Sequence, residues 1–307
     1  MKHRHLLDFQ DWTVEQIGAL FDTTEVMAQV LTRTIKKVPA LQGFHVAHLF
    51  FEDSTRTRLS FERAARAQTA DVTVFAAGAS SLSKGESLRD TIRTIEQSQI
   101  DLYVIRHPAA GAAHQLRNWT NAAIINAGDG RRAHPTQALL DAYTAKQHLG
   151  ELAGRRLVIV GDIQHSRVAR SNIELFTKLG AEVVLSGPPT LVPREFASLP
   201  GVHIEPNLRT AAVGADMLMG LRIQHERLAK QPLLPSLAEY RARWQLTADH
   251  LELANEGCLL MHPGPTNWDV DIDGALRDYE HNVIETQVAN GVSVRMAVLY
   301  TLLVGER

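Results

Sequence analysis

The chain has 307 residues, 45% of them hydrophobic and 21% charged, with a net charge of −2. That length predicts about two domains, and the near-neutral balance gives no positive field for nucleic acid. A single cysteine, Cys258, excludes an internal disulfide and a cysteine metal cage and points to a reducing, cytoplasmic setting. The fourteen histidines lack paired ligand spacing, so no metal is expected. Membrane insertion is not expected either, for want of a long apolar run, and the basic start Met1–His5 leads into Asp8 with no secretory apolar region.

Apolar residues at helical spacing from Val14 to Leu31 predict an amphipathic helix over 13–35. The apolar run His45–Phe51 predicts a buried strand, which breaks into Glu52-Asp53-Ser54-Thr55-Arg56-Thr57-Arg58 and opens a helix with Asp53 or Ser54 as its cap. Strand 71–75 follows, then a small polar loop with Ser80, Ser81 and Lys84, helix 86–98, strand 101–108 ending near Arg106, helix 111–119 and strand 122–128. Asp129, Gly130 and His134 lead to Pro135, which suits the first position of a helix reaching about 148. Four strands alternating with helices predict a parallel α/β domain.

Gly150–Gly154 reads as a join, giving domains 1–150 and 151–307. The pattern restarts with the run 156–162, then helix 166–179, and strands 182–186, 202–204, 216–221 and 258–261. A last helix over 282–304 has an apolar C-terminal half, expected to pack back on the first domain. The fold class is therefore α/β, two doubly wound parallel-sheet domains. Gly161 does not open a dinucleotide site: the fingerprint places further glycines two and five positions on, where this chain has Ile163 and Ser166. No cofactor is expected.

A helix N-terminus carries unpaired N–H groups and partial positive charge, so it attracts anions. Ser54, Thr55, Arg56 and Thr57 add hydroxyls and a guanidinium there, and Ser80, Lys84, Arg106, His134 and Gln137 also fall at strand ends, where α/β sheets gather ligands. Ser54-Thr55-Arg56-Thr57-Arg58 resembles the carbamoyl-phosphate signature of the aspartate and ornithine carbamoyltransferases, and Asn126–Gly130 with His134-Pro135-Thr136-Gln137 resembles their second signature. The similarity runs from about residue 5 to 304.

That resemblance implies transfer of a carbamoyl group from carbamoyl phosphate to an amine. It implies phosphate contacts from Ser54, Thr55, Arg56, Thr57 and Arg106, with Ser80 (or Ser81) and Lys84 reaching in from a neighbouring subunit of a homotrimer. Thr55, Arg106 and His134 fall on the carbonyl oxygen, Gln137 on the carbamoyl amide, and Pro263 and Gly264 on carbamoyl phosphate. Arg167 matches the ligand of an α-carboxylate, and Arg222 with Gln224 those of a β-carboxylate, Lys84 also facing this substrate. Guanidinium forks suit carboxylates because they engage both oxygens. Ornithine enzymes carry His-Cys-Leu-Pro, whereas this chain reads His262-Pro263-Gly264-Pro265, so the acceptor implied is L-aspartate, an early step of pyrimidine biosynthesis. Domain closure would bring its amine to the carbonyl.

One departure stands out: many relatives read Thr/Val-Asn-Arg-Gly where this chain has Thr266-Asn267-Trp268-Asp269. It leaves an inactive scaffold subunit as an alternative, and a transferase for another amine as a second. A regulatory chain or a dihydroorotase is a partner on which the sequence is silent.

Overall fold

A computed structural model describes residues 4–76, 87–223 and 236–305. The chain divides into two compact units, Met1–Leu140 with Ala289–Arg307, and Asp141–Val288. Each is built around a five-stranded sheet whose pairings are all parallel.

In the first unit the strands are β1 (His5–Leu6), β2 (His45–Phe50), β3 (Asp71–Ala76), β4 (Leu102–His107) and β5 (Ala123–Asp129), in the order β1-β5-β4-β2-β3. Helices α1 (Val14–Thr32), α2 (Thr55–Ala67), α3 (Leu88–Glu96) and α4 (Ala112–Leu116) lie between them, and α5 (Pro135–Leu149) follows β5. Central parallel strands are covered on both faces and read as continuous apolar runs. Thus Ala47, Leu49, Tyr103, Ile105 and Ile124 pack with Ile92, Ile95 and Leu116, while His48 meets Phe61 of α2 edge-on, ring centroids 6.3 Å apart. Thr13 and Gln16 close a capping box at the start of α1. Four strands were expected here and five are present. The fifth, β1, is two residues long, too short for periodicity to reveal, and exists only because β5 offers a free edge.

The second unit repeats the plan with β6 (Arg156–Val160), α6 (Arg167–Lys178), β7 (Glu182–Ser186), β8 (Val202–Ile204), α7 (Leu208–Ala212), β9 (Met217–Gly220), α8 (Leu237–Trp244), α9 (Ala248–Leu253) and β10 (Leu259–Met261). Its strand order is β10-β9-β6-β7-β8. Apolar periodicity does not reveal α7, α8 and α9, which are short and have Asn207, Ser236 and Thr247 as their N-caps. Tyr240 and Trp244 of α8 join Val158, Val160, Leu218 and Leu260 in the core.

The last helix, α10 (Ile284–Leu303), packs on the first unit through its C-terminal part. Arg295 donates from Nη1 to Ser60 Oγ at 2.9 Å and lies over the Phe61 ring, its Cζ 5.1 Å from the centroid. Gln68 Nε2 donates to the Met296 carbonyl at 3.1 Å.

Both sheets reverse their winding once, between β2 and β4 in the first and between β6 and β9 in the second. Such a switch point opens a crevice beyond the C-terminal strand ends, because the two connections leave in opposite directions.

Candidate active site

In the first unit the switch point is where the anion-binding candidates collect. β2 pairs with β4 up to Phe50 opposite Arg106, and the Phe51 amide donates to the Arg106 carbonyl at 2.9 Å. The Ser54–Thr57 cluster and Arg106 therefore leave adjacent strand ends. Ser54 is the N-cap of α2, but its side chain makes no capping bond, while its carbonyl accepts from Arg58 at 3.1 Å. A first helical turn directs amides and partial positive charge beyond its end, the setting in which an anion is bound. Thr55 and Arg56 are exposed and Thr57 is half-buried.

Arg106 is held at both ends of its guanidinium. Its Nη1 donates to the Ala127 carbonyl at 3.1 Å, and its Nε lies 3.2 Å from Glu52 Oε2. Glu52 was given no role from sequence. The signal was there, an acidic residue ending a buried strand just before a cationic cluster.

His134 and Gln137 are buried, on the turn between β5 and α5 and in its first turn, with His134 Nδ1 3.5 Å from Thr136 Oγ1. The turn is shaped by two buried side chains of the second signature, Asn126 and Asp129. Asn126 Nδ2 donates to Asp129 Oδ1 at 2.9 Å and to the Leu7 carbonyl at 3.1 Å. Asp129 also accepts the amides of Ala133 at 3.0 Å and Gly111 at 2.7 Å. Between them Gly130 adopts φ +49°, and a Cβ there would lie 2.8 Å from the Ala110 nitrogen. Only glycine fits that approach.

In the second unit Arg167 and Arg222 leave the adjacent ends of β6 and β9, which stay paired through the Leu221 amide and the Val160 carbonyl at 2.9 Å. Arg167 opens α6, whose cap Ser166 accepts the Ala169 amide at 3.0 Å. Both arginines are half-buried. The approach to Arg167 is fixed by Asp162, whose Oδ1 accepts the His165 amide and lies 3.0 Å from its Nδ1. Gly187 has no room for a side chain, since a Cβ would sit 2.5 Å from the Gly161 carbonyl oxygen. Pro263 and Gly264 follow β10, the neighbour of β9. Of the remaining candidates, Ser80, Ser81, Lys84 and Gln224 lie outside the described residues.

Asp271 has no signal in the sequence, and His262 shows there only as part of the turn with Pro263 and Gly264. Asp271 and His262 are buried together behind the β9 and β10 ends, with His262 Nε2 3.3 Å from Asp271 Oδ2. Cys258 is buried in the core at the start of β10, and burial pushes its thiol up to about 12, which makes it inert as a nucleophile. The departure at Trp268-Asp269 is accommodated locally. Arg277 Cζ lies 5.0 Å from the Trp268 ring centroid, and Asp269, at φ +67°, accepts the Gly274 amide at 2.9 Å. Among the described residues no group of three or more His, Cys, Asp and Glu is arranged to hold a metal, and no helix is long and apolar enough to cross a membrane.

The whole chain has close counterparts. Residues 4–147 match the family model described as aspartate/ornithine carbamoyltransferase, carbamoyl-P binding domain, and residues 153–302 the model for the Asp/Orn binding domain. The aspartate carbamoyltransferase catalytic subunit of Thermus aquaticus is 56% identical over 303 residues, covering 99% of each chain. That of Deinococcus radiodurans is 55% identical, over 99% of this chain and 96% of its own. Among solved structures, aspartate transcarbamoylase from Trypanosoma cruzi in complex with carbamoyl phosphate and aspartate superposes with a TM-score of 0.86 at 30% identity, over 98% of this chain and 96% of that one.

Proposed function

The chain belongs to the aspartate/ornithine carbamoyltransferase family, and we propose that its two strand-end clusters divide the work of carbamoyl transfer to L-aspartate. Carbamoyl phosphate and L-aspartate give N-carbamoyl-L-aspartate and phosphate. The reading rests on one observation above all: each sheet sends cationic side chains out at its switch point, Arg56 and Arg106 in the first unit, Arg167 and Arg222 in the second.

The first-turn amides of α2, the hydroxyls of Ser54, Thr55 and Thr57, and the guanidinium groups of Arg56 and Arg106 bind the phosphate and stabilise its charge as it leaves. Thr55, Arg106 and His134 hold the carbonyl oxygen. Donors fixed where charge develops, and not free to relax, supply the largest single contribution to acyl transfer of this kind. Gln137 and the Pro263–Gly264 turn receive the carbamoyl amide. Arg167 takes the α-carboxylate of aspartate, and Arg222 with Gln224 the β-carboxylate. The neutral amine forms the C–N bond, the C–O bond to phosphate breaks, and the amine proton leaves on phosphate. No covalent enzyme intermediate is required.

The same reading makes the working enzyme a cytoplasmic homotrimer in which Ser80 and Lys84 serve a neighbour's site, and makes its product a precursor of the pyrimidine ring. Residues 1–150 carry the carbamoyl-phosphate domain and 151–307 the aspartate domain with the last helix. The decisive test is a colorimetric assay for carbamoyl product with carbamoyl phosphate and either L-aspartate or L-ornithine, run beside Arg222→Ala. Product with aspartate alone, much weakened in the variant, is the expected result. Product with ornithine would overturn the role of Arg222, and no product with either acceptor would favour a scaffold subunit.

A further inference from the structure

We propose that the buried pair His262–Asp271 is the positioning device that holds Arg222 in register with the Pro263–Gly264 turn, and so sets the affinity for aspartate. The inference rests on the roles given above to Arg222 and Gly264.

Asp271 is 1% exposed and His262 likewise, yet neither belongs to a strand or helix. A buried carboxylate is costly unless its oxygens are taken up by donors, and those of Asp271 are taken up by two different segments. Oδ1 accepts the amide of Ile223 at 3.2 Å, the residue after Arg222. Oδ2 accepts the amide of Asn267 at 3.0 Å, in the segment that follows Gly264-Pro265, and lies 3.3 Å from His262 Nε2. One carboxylate thus pins the chain leaving β9 to the chain leaving β10.

His262 extends the tie to Gly264 itself. Its Nδ1 accepts the Gly264 amide at 2.8 Å. The other ring nitrogen, Nε2, is the one that faces the carboxylate. The backbone of His262 is fixed in turn, because its amide donates to Gln287 Oε1 at 3.0 Å, and Gln287 Nε2 donates to buried Asp141 at 2.7 Å. A short chain of contacts therefore runs from Gly264 through His262 and Asp271 to Ile223. The approach is tight enough that a Cβ on Gly220, at the end of β9, would lie 3.3 Å from His262 Cδ2. A shift of His262 is transmitted to the strand end that carries Arg222.

Asp271→Asn tests the proposal, since it keeps the volume but replaces one acceptor oxygen with a donor. At saturating carbamoyl phosphate it is expected to raise KM for aspartate at least about tenfold, because displacements well under an ångström at a positioned group carry penalties of this order. KM for carbamoyl phosphate should change by less than about threefold. His262→Asn retains an acceptor near Gly264 but loses the contact with Asp271, and should show the same split. The double variant should be no worse than the worse single one, as expected of residues acting as a unit. Arg222→Ala runs in parallel to separate the two ideas. If it weakens aspartate binding while folded Asp271→Asn and His262→Asn keep KM within about twofold of the parent, the positioning proposal fails. Equal rises in both KM values, in step with a lowered thermal midpoint, would also sink it as mere loss of structure. If Arg222→Ala leaves KM for aspartate unchanged, it is the proposed aspartate site that fails.

Discussion

Replacing Asp129 by alanine should cost both stability and rate, and the structure sets the scale. Its carboxylate, 1% exposed, accepts from Asn126 Nδ2 at 2.9 Å, from the Ala133 amide at 3.0 Å and from the Gly111 amide at 2.7 Å. Asn126 and Ala133 are buried, so their donors would be left with no water to turn to, while half-buried Gly111 would find some. At about 1–3 kcal/mol per stranded buried donor, Asp129→Ala loses roughly 4 kcal/mol. Asp129→Asn keeps one acceptor oxygen and should lose about half as much. Native-state hydrogen exchange of β5 amides in urea measures this within the first unit, where a whole-chain midpoint would blend two units. Because the Ala133 amide tethers the turn next to His134, kcat/KM in the alanine variant should fall by about a hundredfold or more. Unchanged β5 protection in the alanine variant, or an asparagine variant as damaged as the alanine one, would refute this account of the turn.

Two further expectations concern groups away from the substrates. Burial holds His48 down at about 4, against an ordinary 6.5, so the unfolded chain takes the proton first and stability is lost as pH falls from about 6.5 toward 4. The loss attributable to His48 approaches roughly 3 kcal/mol at the acid end. His48→Asn should flatten that limb of a urea-midpoint profile against pH, and an unchanged slope would refute it. Asp269→Ala should be less stable than Asp269→Gly by about 1 kcal/mol, since both lose the bond to Gly274 and only alanine keeps the left-handed strain. Equal thermal midpoints for the two variants would show that φ +67° at this position carries no strain.

Much of the architecture was legible in the chain. Apolar runs such as His45–Phe51 and Arg156–Val160 announce strands covered on both faces, because a central parallel strand has no wet side. Their alternation with helices announces two α/β units, and the end of each strand tells where to look for ligands. The second-unit arginines were singled out by the family resemblance, and the structure puts them at adjacent strand ends as well. What the sequence passed over was short or depended on a partner, as with β1, which has a strand's geometry only because β5 lies beside it.

The chain by itself determined which chemistry is present: hydroxyls, amides and guanidinium groups at strand ends, and no reactive thiol. The tertiary structure decided which side chains hold that chemistry in place. Asn126 with Asp129, and His262 with Asp271, look like ordinary polar residues in sequence, because nothing local distinguishes a carboxylate in water from one buried under three donors. Their role comes from burial and from donors on segments far apart in the chain, as with Ile223 and Asp271, so it exists only once those segments are folded together.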